Sequence, residues 1–266
     1  MTASVLYDAP GPRAKVLDKV LNVTFGVVFL AGIAWAVFSM YQKGLFDDRW
    51  EVLWNPPRGQ TAGDVWNSLL VRGLGATLFA AIIAAPLAFL LGGALSVIRK
   101  SVSKWVTFPA IGITELFRGL PVLLMMFMAK LGFGWSPLAS VVFGLVVYNM
   151  AVFAEILRAG LASLPAGQRE AGLSLGLSGL QTTLLIEMPQ AIRTMMPSLV
   201  SQLVVLLKDS SLGFIVGYSE LLRTIKLNRD YFGGDYLLPL FLVGASIYIL
   251  VNFSMTRLAT ALERRV

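Results

Sequence analysis

Six stretches of this chain are long and apolar enough to cross a lipid bilayer, which takes about 20 residues at roughly 1.5 Å of helical rise each. They run over Leu21–Tyr41, Gly73–Ile98, Val106–Leu131, Leu138–Leu157, Met195–Val216 and Tyr236–Leu258. Inside a bilayer the backbone must satisfy its own N–H and C=O groups, so runs of this length are predicted to be helices. The first two carry no charge, and the second contains Pro86, where a kink is expected. The first run is too long for the apolar part of a signal peptide, and no small-residue cleavage site follows it. The expected fold class is an all-α integral membrane protein with six transmembrane helices.

Composition agrees. Hydrophobic residues make up 56% of the 266-residue chain and charged residues 14%, against about 25% charged in a soluble domain. With no histidine and no cysteine, imidazole bases, thiol nucleophiles, disulfides and the usual zinc or iron–sulfur ligand sets are excluded. The net charge of +7 reads as Lys and Arg gathered at cytoplasmic helix ends, not as a nucleic-acid surface. With the N-terminus inside, one face receives Arg13, Lys15, Lys19, Arg99, Lys100, Lys104, Arg158, Arg169, Arg193, Arg257, Arg264 and Arg265. The other face receives fewer cations, Lys43, Arg49, Arg58, Arg72, Arg223, Lys226 and Arg229, interspersed with acids such as Asp47 and Glu220. The bias predicts a multi-pass plasma-membrane protein with both termini cytoplasmic. Residues 1–20 form a cytoplasmic N-terminal segment, 21–258 the membrane domain and 259–266 a cytoplasmic tail. The outer stretch Ser219–Asp235 has room for a short interfacial helix carrying Leu221, Leu222 and Ile225.

The cytoplasmic loop 161–190 is the most informative segment. Between Pro165 and Pro189 the sequence is compatible with one helix, with proline as its start and stop signals. Ala166, Gly172 and Gly176 interrupt its apolar positions, and small residues let a partner backbone approach. On spacing alone this is either an ordinary surface helix or a docking surface.

Glu170-Ala171-Gly172, Gly176 and Ile186-x-Met188-Pro189 resemble the EAA loop of ABC importer permeases. Gly172 stands where that family has a second alanine, and Met188 where leucine is usual. Glu115-Leu-Phe-Arg118-Gly-Leu-Pro121, the segment Tyr148 to Gly160, and Leu207-Lys208-Asp209-Ser210-Ser211-Leu212 resemble signatures of the polar-amino-acid branch, in family order. Val5 to Pro12 is most similar to the second permease subunit of actinobacterial glutamate importers.

The resemblance implies a type I ABC importer permease fold with a cytoplasmic coupling helix. Glu170, Ala171, Gly172, Gly176 and Pro189 would form the ATPase-coupling site. The implied partners are a second homologous permease subunit, two copies of an ABC ATPase and an extracytoplasmic solute-binding protein, with transport by alternating access. No cofactor would bind this chain, ATP and Mg being used by the ATPase. In keeping with that, no lysine here follows a glycine, so the Gly-x-x-x-x-Gly-Lys phosphate cradle is missing and the chain is not expected to be an enzyme.

Ionisable groups within the spans are costly unless paired or hydrated. Glu115 and Arg118 share a helix face. Counted from Trp105 at the cytoplasmic edge they are expected about 15–20 Å in, near mid-membrane, as a structural pair or as a contact for an anionic substrate. Lys208 and Asp209, with the hydroxyls of Ser210 and Ser211, are either a subunit-interface pair or part of the route. Asn149 is a pocket or a packing amide, and Glu155 and Arg158 have gating or structural roles. Glutamate is the expected cargo, with glutamine, aspartate or a basic amino acid as alternatives. A self-sufficient carrier using Glu115 as an ion site, or a scaffold, are the readings from other classes.

Overall fold

A computed structural model describes residues 11–42, 44, 46, 48–101 and 103–263. Val5 to Pro10 of the N-terminal resemblance, and Lys43, Asp47, Arg264 and Arg265 of the charge bias, lie outside the described residues. By internal contacts the chain divides into two units, Met1–Glu51 and Val52–Val266. The first contains α1, Pro12–Gln42, charged in its first two turns and without a charge after Lys19, as suits a lipid environment.

In the second unit, Thr61 caps α2 (Ala62–Asn67). Its hydroxyl accepts from the Asp64 N–H at 3.3 Å, and the Asp64 carboxylate accepts from the Thr61 N–H at 2.9 Å. A wide π turn at Ser68–Leu74 joins α2 to α3, Gly75–Ile98, so Ala62–Ile98 is one 37-residue run. This span begins at Ala62 and not at Gly73. Asp64, Asn67, Ser68 and Arg72 hide the first turns from a hydropathy reading, although Val65 and Leu69 are fully buried. The helix continues through Pro86 without a break.

Ala80, Ala84, Ala88, Gly92 and Ser96, four residues apart, form one buried stripe on α3. Helix α4 (Lys104–Gly119) and α5 (Val122–Phe127, running on to Gly132) follow, and then α6, Pro137–Ser163. The small stripe lets α6 come close enough that a Cβ at Gly92 would stand 2.7 Å from the Met150 carbonyl oxygen.

The third predicted span is not straight. It bends by 100° between α4 and α5, because Pro121 forces Leu120 out of the helical region, to φ −92° and ψ 134°. The loop 161–190 is likewise not one helix. It forms α7 (Ala166–Ser174), then α8 (Gly179–Thr182), a wide turn at Thr183–Glu187 and α9 (Met188–Thr194). Pro189 is no stop signal: the backbone stays helical across it from Gly179 to Thr194, with the wide turn at Thr183–Glu187 just before it. A 69° bend leads into α10 (Met196–Asp209).

A short helix is present in the stretch 219–235 as α11, Leu221–Phe232, and α12 (Leu237–Glu263) follows it. Four helices are long and apolar enough to cross a membrane, and the two bent pairs bring the number to six. The fold is the all-helical membrane bundle expected. Its core joins Ala80 and Ala84 to Met126, Val141, Leu145, Leu206 and Leu207.

Candidate functional site

The loop that carries the motif residues is a rigid elbow. Helix α7 ends in a Schellman turn: the Gly176 N–H donates to the Leu173 carbonyl at 3.0 Å and the Leu177 N–H to the Gly172 carbonyl at 3.2 Å. Gly176 takes φ 82° to close it, a conformation glycine adopts without penalty. Ser178 and Gln181 then cap α8 reciprocally, at 3.3 and 2.8 Å.

Gly172 is not available to a partner. A Cβ there would stand 2.6 Å from Thr182 Cγ2 and 2.9 Å from Ile186 Cδ1, so its smallness serves packing of α7 on the second arm of the elbow. The outward face carries Glu170 and Ala171 beside exposed Leu173 and Leu175, the latter 80% exposed.

What holds the elbow to the bundle is a buried carboxylate that the sequence reading left without a role. Glu187, with only 5% of its side chain exposed, accepts from Lys100 Nζ at 2.5 Å and from Thr183 Oγ1 at 2.8 Å, with Arg169 Nη1 at 3.6 Å. Lys100 lies just past α3 and Arg169 lies on α7, so one carboxylate joins both arms to the end of a long span. Gln190 adds a hydrogen bond to Gln168 at 3.2 Å. The legible signal was an acid among Leu184, Leu185, Ile186 and Met188. Its partner, 87 positions away, was not legible.

The two intramembrane charge pairs read from the sequence are a single network. Glu155 receives Arg158 at 2.5 Å, Arg99 at 3.0 Å and Arg118 at 3.7 Å, and Arg118 also lies 3.5 Å from Glu115. The expected mid-membrane depth of Glu115 and Arg118 is corrected by these contacts. Arg99 is the residue after α3, so the network is level with the end of that helix, and the 100° bend removes the straight span on which the depth rested. Arg99 is nearly buried, whereas Glu115, Arg118 and Arg158 keep an open side. Three guanidiniums against two carboxylates leave the cluster cationic.

The other candidates separate by environment. Asn149 is fully buried, donating to the Leu145 carbonyl at 2.7 Å and accepting from Gln202 Nε2 at 2.8 Å, so it ties α6 to α10. Ser210 and Ser211 donate back to the Leu207 and Lys208 carbonyls, at 2.7 and 2.8 Å. Tyr248 of α12 also donates to the Lys208 carbonyl, at 2.9 Å. The Lys208 ammonium is exposed and the Asp209 carboxylate half-buried, and neither forms an ion pair among the described residues. At the far end of Ala62–Ile98 a polar cleft of about 260 Å³ is lined by Gln60, Asp64, Asn67, Arg72, Asn228 and Tyr231.

Residues 84–266 match the protein family described as "Binding-protein-dependent transport system inner membrane component". The glutamate transport system permease protein GluD of Corynebacterium glutamicum is 42% identical over 213 residues, covering 76% of each chain. The protein of Bacillus subtilis named "Probable glutamine ABC transporter permease protein GlnP" is 35% identical over 207 residues, 76% of this chain and 93% of that one. Among solved structures, a chain of an amino acid ABC transporter crystallised with histidines superposes with a TM-score of 0.67 at 26% identity, covering 77% of this chain and 97% of that one.

Proposed function

The chain belongs to the family of binding-protein-dependent transport system inner membrane components, and from that premise we propose that it carries glutamate as one of two permease subunits around a shared route. It is the membrane-spanning, non-enzymatic part of an ABC importer for amino acids, with ATP hydrolysis on a separate chain. The companion is a second, homologous permease subunit. Two ATPase copies, using ATP and Mg, sit on the cytoplasmic face, and a solute-binding protein delivers cargo on the other. Both termini are cytoplasmic.

The observation that carries the reading is the elbow: exposed Leu173 and Leu175 on α7, fixed through Glu187 to Lys100 at the end of α3. An ATPase seated on α7 cannot displace it without displacing a span. Glu170, Ala171 and Gly176 shape the surface it grips, while Gly172 and Pro189 form the joint behind it. Closure of the ATPases on ATP rocks the spans, and the solute received at the outer face opens to the inner one.

For the cargo, the exposed ammonium of Lys208 and the open side of the Arg118–Arg158 cluster support an acidic amino acid, since both raise a positive potential and a guanidinium grips a carboxylate through paired hydrogen bonds. The name of the Corynebacterium relative supports the same choice. Asp209 and Glu115 contact or orient the ammonium end of the solute. Asn149, with both amide ends occupied, shapes the route without touching solute.

The test is ATP hydrolysis by the complete complex, purified with its companion subunits and challenged with a panel of amino acids on the binding protein. Glutamate is expected to stimulate most, and Arg118→Ala to reduce that stimulation far more than basal hydrolysis. Stimulation by glutamine or a basic amino acid alone would move the cargo. Solute uptake by vesicles holding this chain without an ATPase would overturn the importer reading in favour of a secondary carrier.

A further inference from the structure

We propose that the inner end of this bundle binds an anionic phospholipid, with an acyl chain in a groove between α3 and the α8–α9 arm and the phosphate against Lys100 and Arg169. Two adjoining cavities carry the inference. The first, about 370 Å³, is lined almost wholly by apolar side chains, including Leu90 and Ala94 of α3, Leu157 of α6, and Leu184, Met188 and Ile192. The second, about 360 Å³, holds Lys100, Ser101, Arg169 and Thr183. Val97 and Ile98 line both, so the two adjoin, one apolar along α3 and the other carrying Lys100 and Arg169 beside apolar Val106 and Leu180 where α3 ends.

The groove exists because α3 is thin there. A Cβ placed on Gly93 would meet only Leu157 Cδ1, at 3.9 Å. From Leu90 to Ile98 the groove runs about 12 Å along the helix at roughly 1.5 Å per residue, close to the ~15 Å half-thickness of a hydrocarbon core. Its apolar length therefore lies at acyl-chain depth and its polar end at headgroup depth.

Charge selects the ligand. Lys100 and Arg169 share one carboxylate, Glu187, which is buried behind them, while they remain 28% and 35% exposed. The cavity therefore meets two cations and hardly any of the anion. An ammonium with three donors and a guanidinium with five have hydrogen bonds to spare after serving Glu187. A free phosphate would leave the groove empty, and a neutral lipid would leave the cations unmatched. A phospholipid with net negative charge fills both, as basic pockets at the cytoplasmic edge of helical bundles do.

The proposal needs only that the bundle lies in a bilayer, so it stands or falls apart from the cargo. The test uses the complete complex in detergent and two photoactivatable probes with the same diazirine-bearing acyl chain, a phosphatidylglycerol and a phosphatidylcholine. Phosphatidylglycerol is expected to label the peptides bearing Gly93–Ile98 and Leu184–Ile192 preferentially, by about fivefold for each basic residue engaged. Lys100→Gln with Arg169→Gln should bring the two probes to parity. Gly93→Leu, which fills the groove and leaves both cations in place, should abolish labelling by either. Equal labelling in the unaltered complex, labelling elsewhere, or a crosslink from Ala94→Cys to the companion subunit in place of lipid would overturn the proposal.

Discussion

Removing the Glu187 carboxylate should loosen the elbow by an amount the structure allows to be worked out. The side chain is almost completely buried and accepts a charged hydrogen bond from Lys100 at 2.5 Å. Such bonds contribute about 1.5–3 kcal/mol, and breaking one partner of a fully buried pair costs about 3–5 kcal/mol. Lys100 is a little over a quarter exposed, so water relieves part of the penalty, and Glu187→Leu is expected to cost about 2 kcal/mol. Lys100→Met, which strands Glu187 with only Thr183 and the more distant Arg169, should cost a similar amount. The double variant has neither charge to strand, so its loss should fall well below the sum, with a coupling energy of about 1–2 kcal/mol. Chemical unfolding of the purified complex reads the stabilities, and solute moved per ATP in liposomes reads the coupling. A loss of about 2 kcal/mol multiplies the detached population of the elbow roughly 30-fold, so each single variant should hydrolyse ATP while moving less solute. Two single losses that add within about 0.5 kcal/mol, or unchanged solute per ATP in both, would refute the clamp.

Gly176→Ala must hold a Cβ at φ 82° and should cost about 1–2 kcal/mol, whereas Gly176→Asn should cost less; transport assays of the two against normal membrane insertion check the ranking. Gly92→Leu drives a side chain into the Met150 carbonyl and Phe153 Cβ, each 2.7 Å from the Cβ position, and should lower the yield of folded protein by an overpacking cost of about 1–3 kcal/mol or more. Glu220 caps α11, accepting from the Leu222 and Arg223 N–H groups at 2.9 and 2.8 Å, while burial raises its pKa above the ordinary glutamate value against the pull of those bonds. Because the folded state then holds a proton that the unfolded state has released, stability should fall as pH rises from the unfolded value of about 4.3 through the folded one; Glu220→Gln should flatten that slope in thermal melts taken across the window.

The membrane bundle was legible because lipid leaves the backbone one solution, and six apolar runs announce it. What hydropathy could not report was where a run stops being straight. Leu120 and Pro121 turn the third span by 100°, and a dipeptide carries almost no weight in a window of about 20 residues. The same averaging concealed Ala62–Gly73, whose polar residues stand on a helix that is nonetheless continuous with α3. The stripe Ala80, Ala84, Ala88, Gly92 and Ser96 was visible at spacing four, but only packing reveals that α6 fills it. In the loop, Gly172 and Gly176 were both marked as small, for one shared reason. The structure gives them two: Gly172 for close packing on Thr182, Gly176 for its positive φ. Glu115 and Arg118 were paired by helical spacing and lie 3.5 Å apart, yet the contacts of Glu155 with Arg99 and Arg118 join separate elements, where spacing is silent.

Arg99 and Lys100 bring these features together. They are consecutive at the end of α3, one bonded to Glu155 in the charge network and the other to Glu187 in the elbow, at 3.0 and 2.5 Å. A dipeptide is too short to let one side chain move far without the other, so on the proposed mechanism a force on α7 reaches Glu155 through two ion pairs and one peptide unit. Ion pairs hold a direction, and their partners can be exchanged in discrete steps. Glu155 has three guanidiniums within 4 Å and only two oxygens, so losing Arg99 to a shift of α3 leaves Arg118 or Arg158 able to take its place. On that mechanism the surplus of cations turns a small displacement at the loop into a change of pairing at Glu155, a discrete rearrangement of the kind that switching sites use.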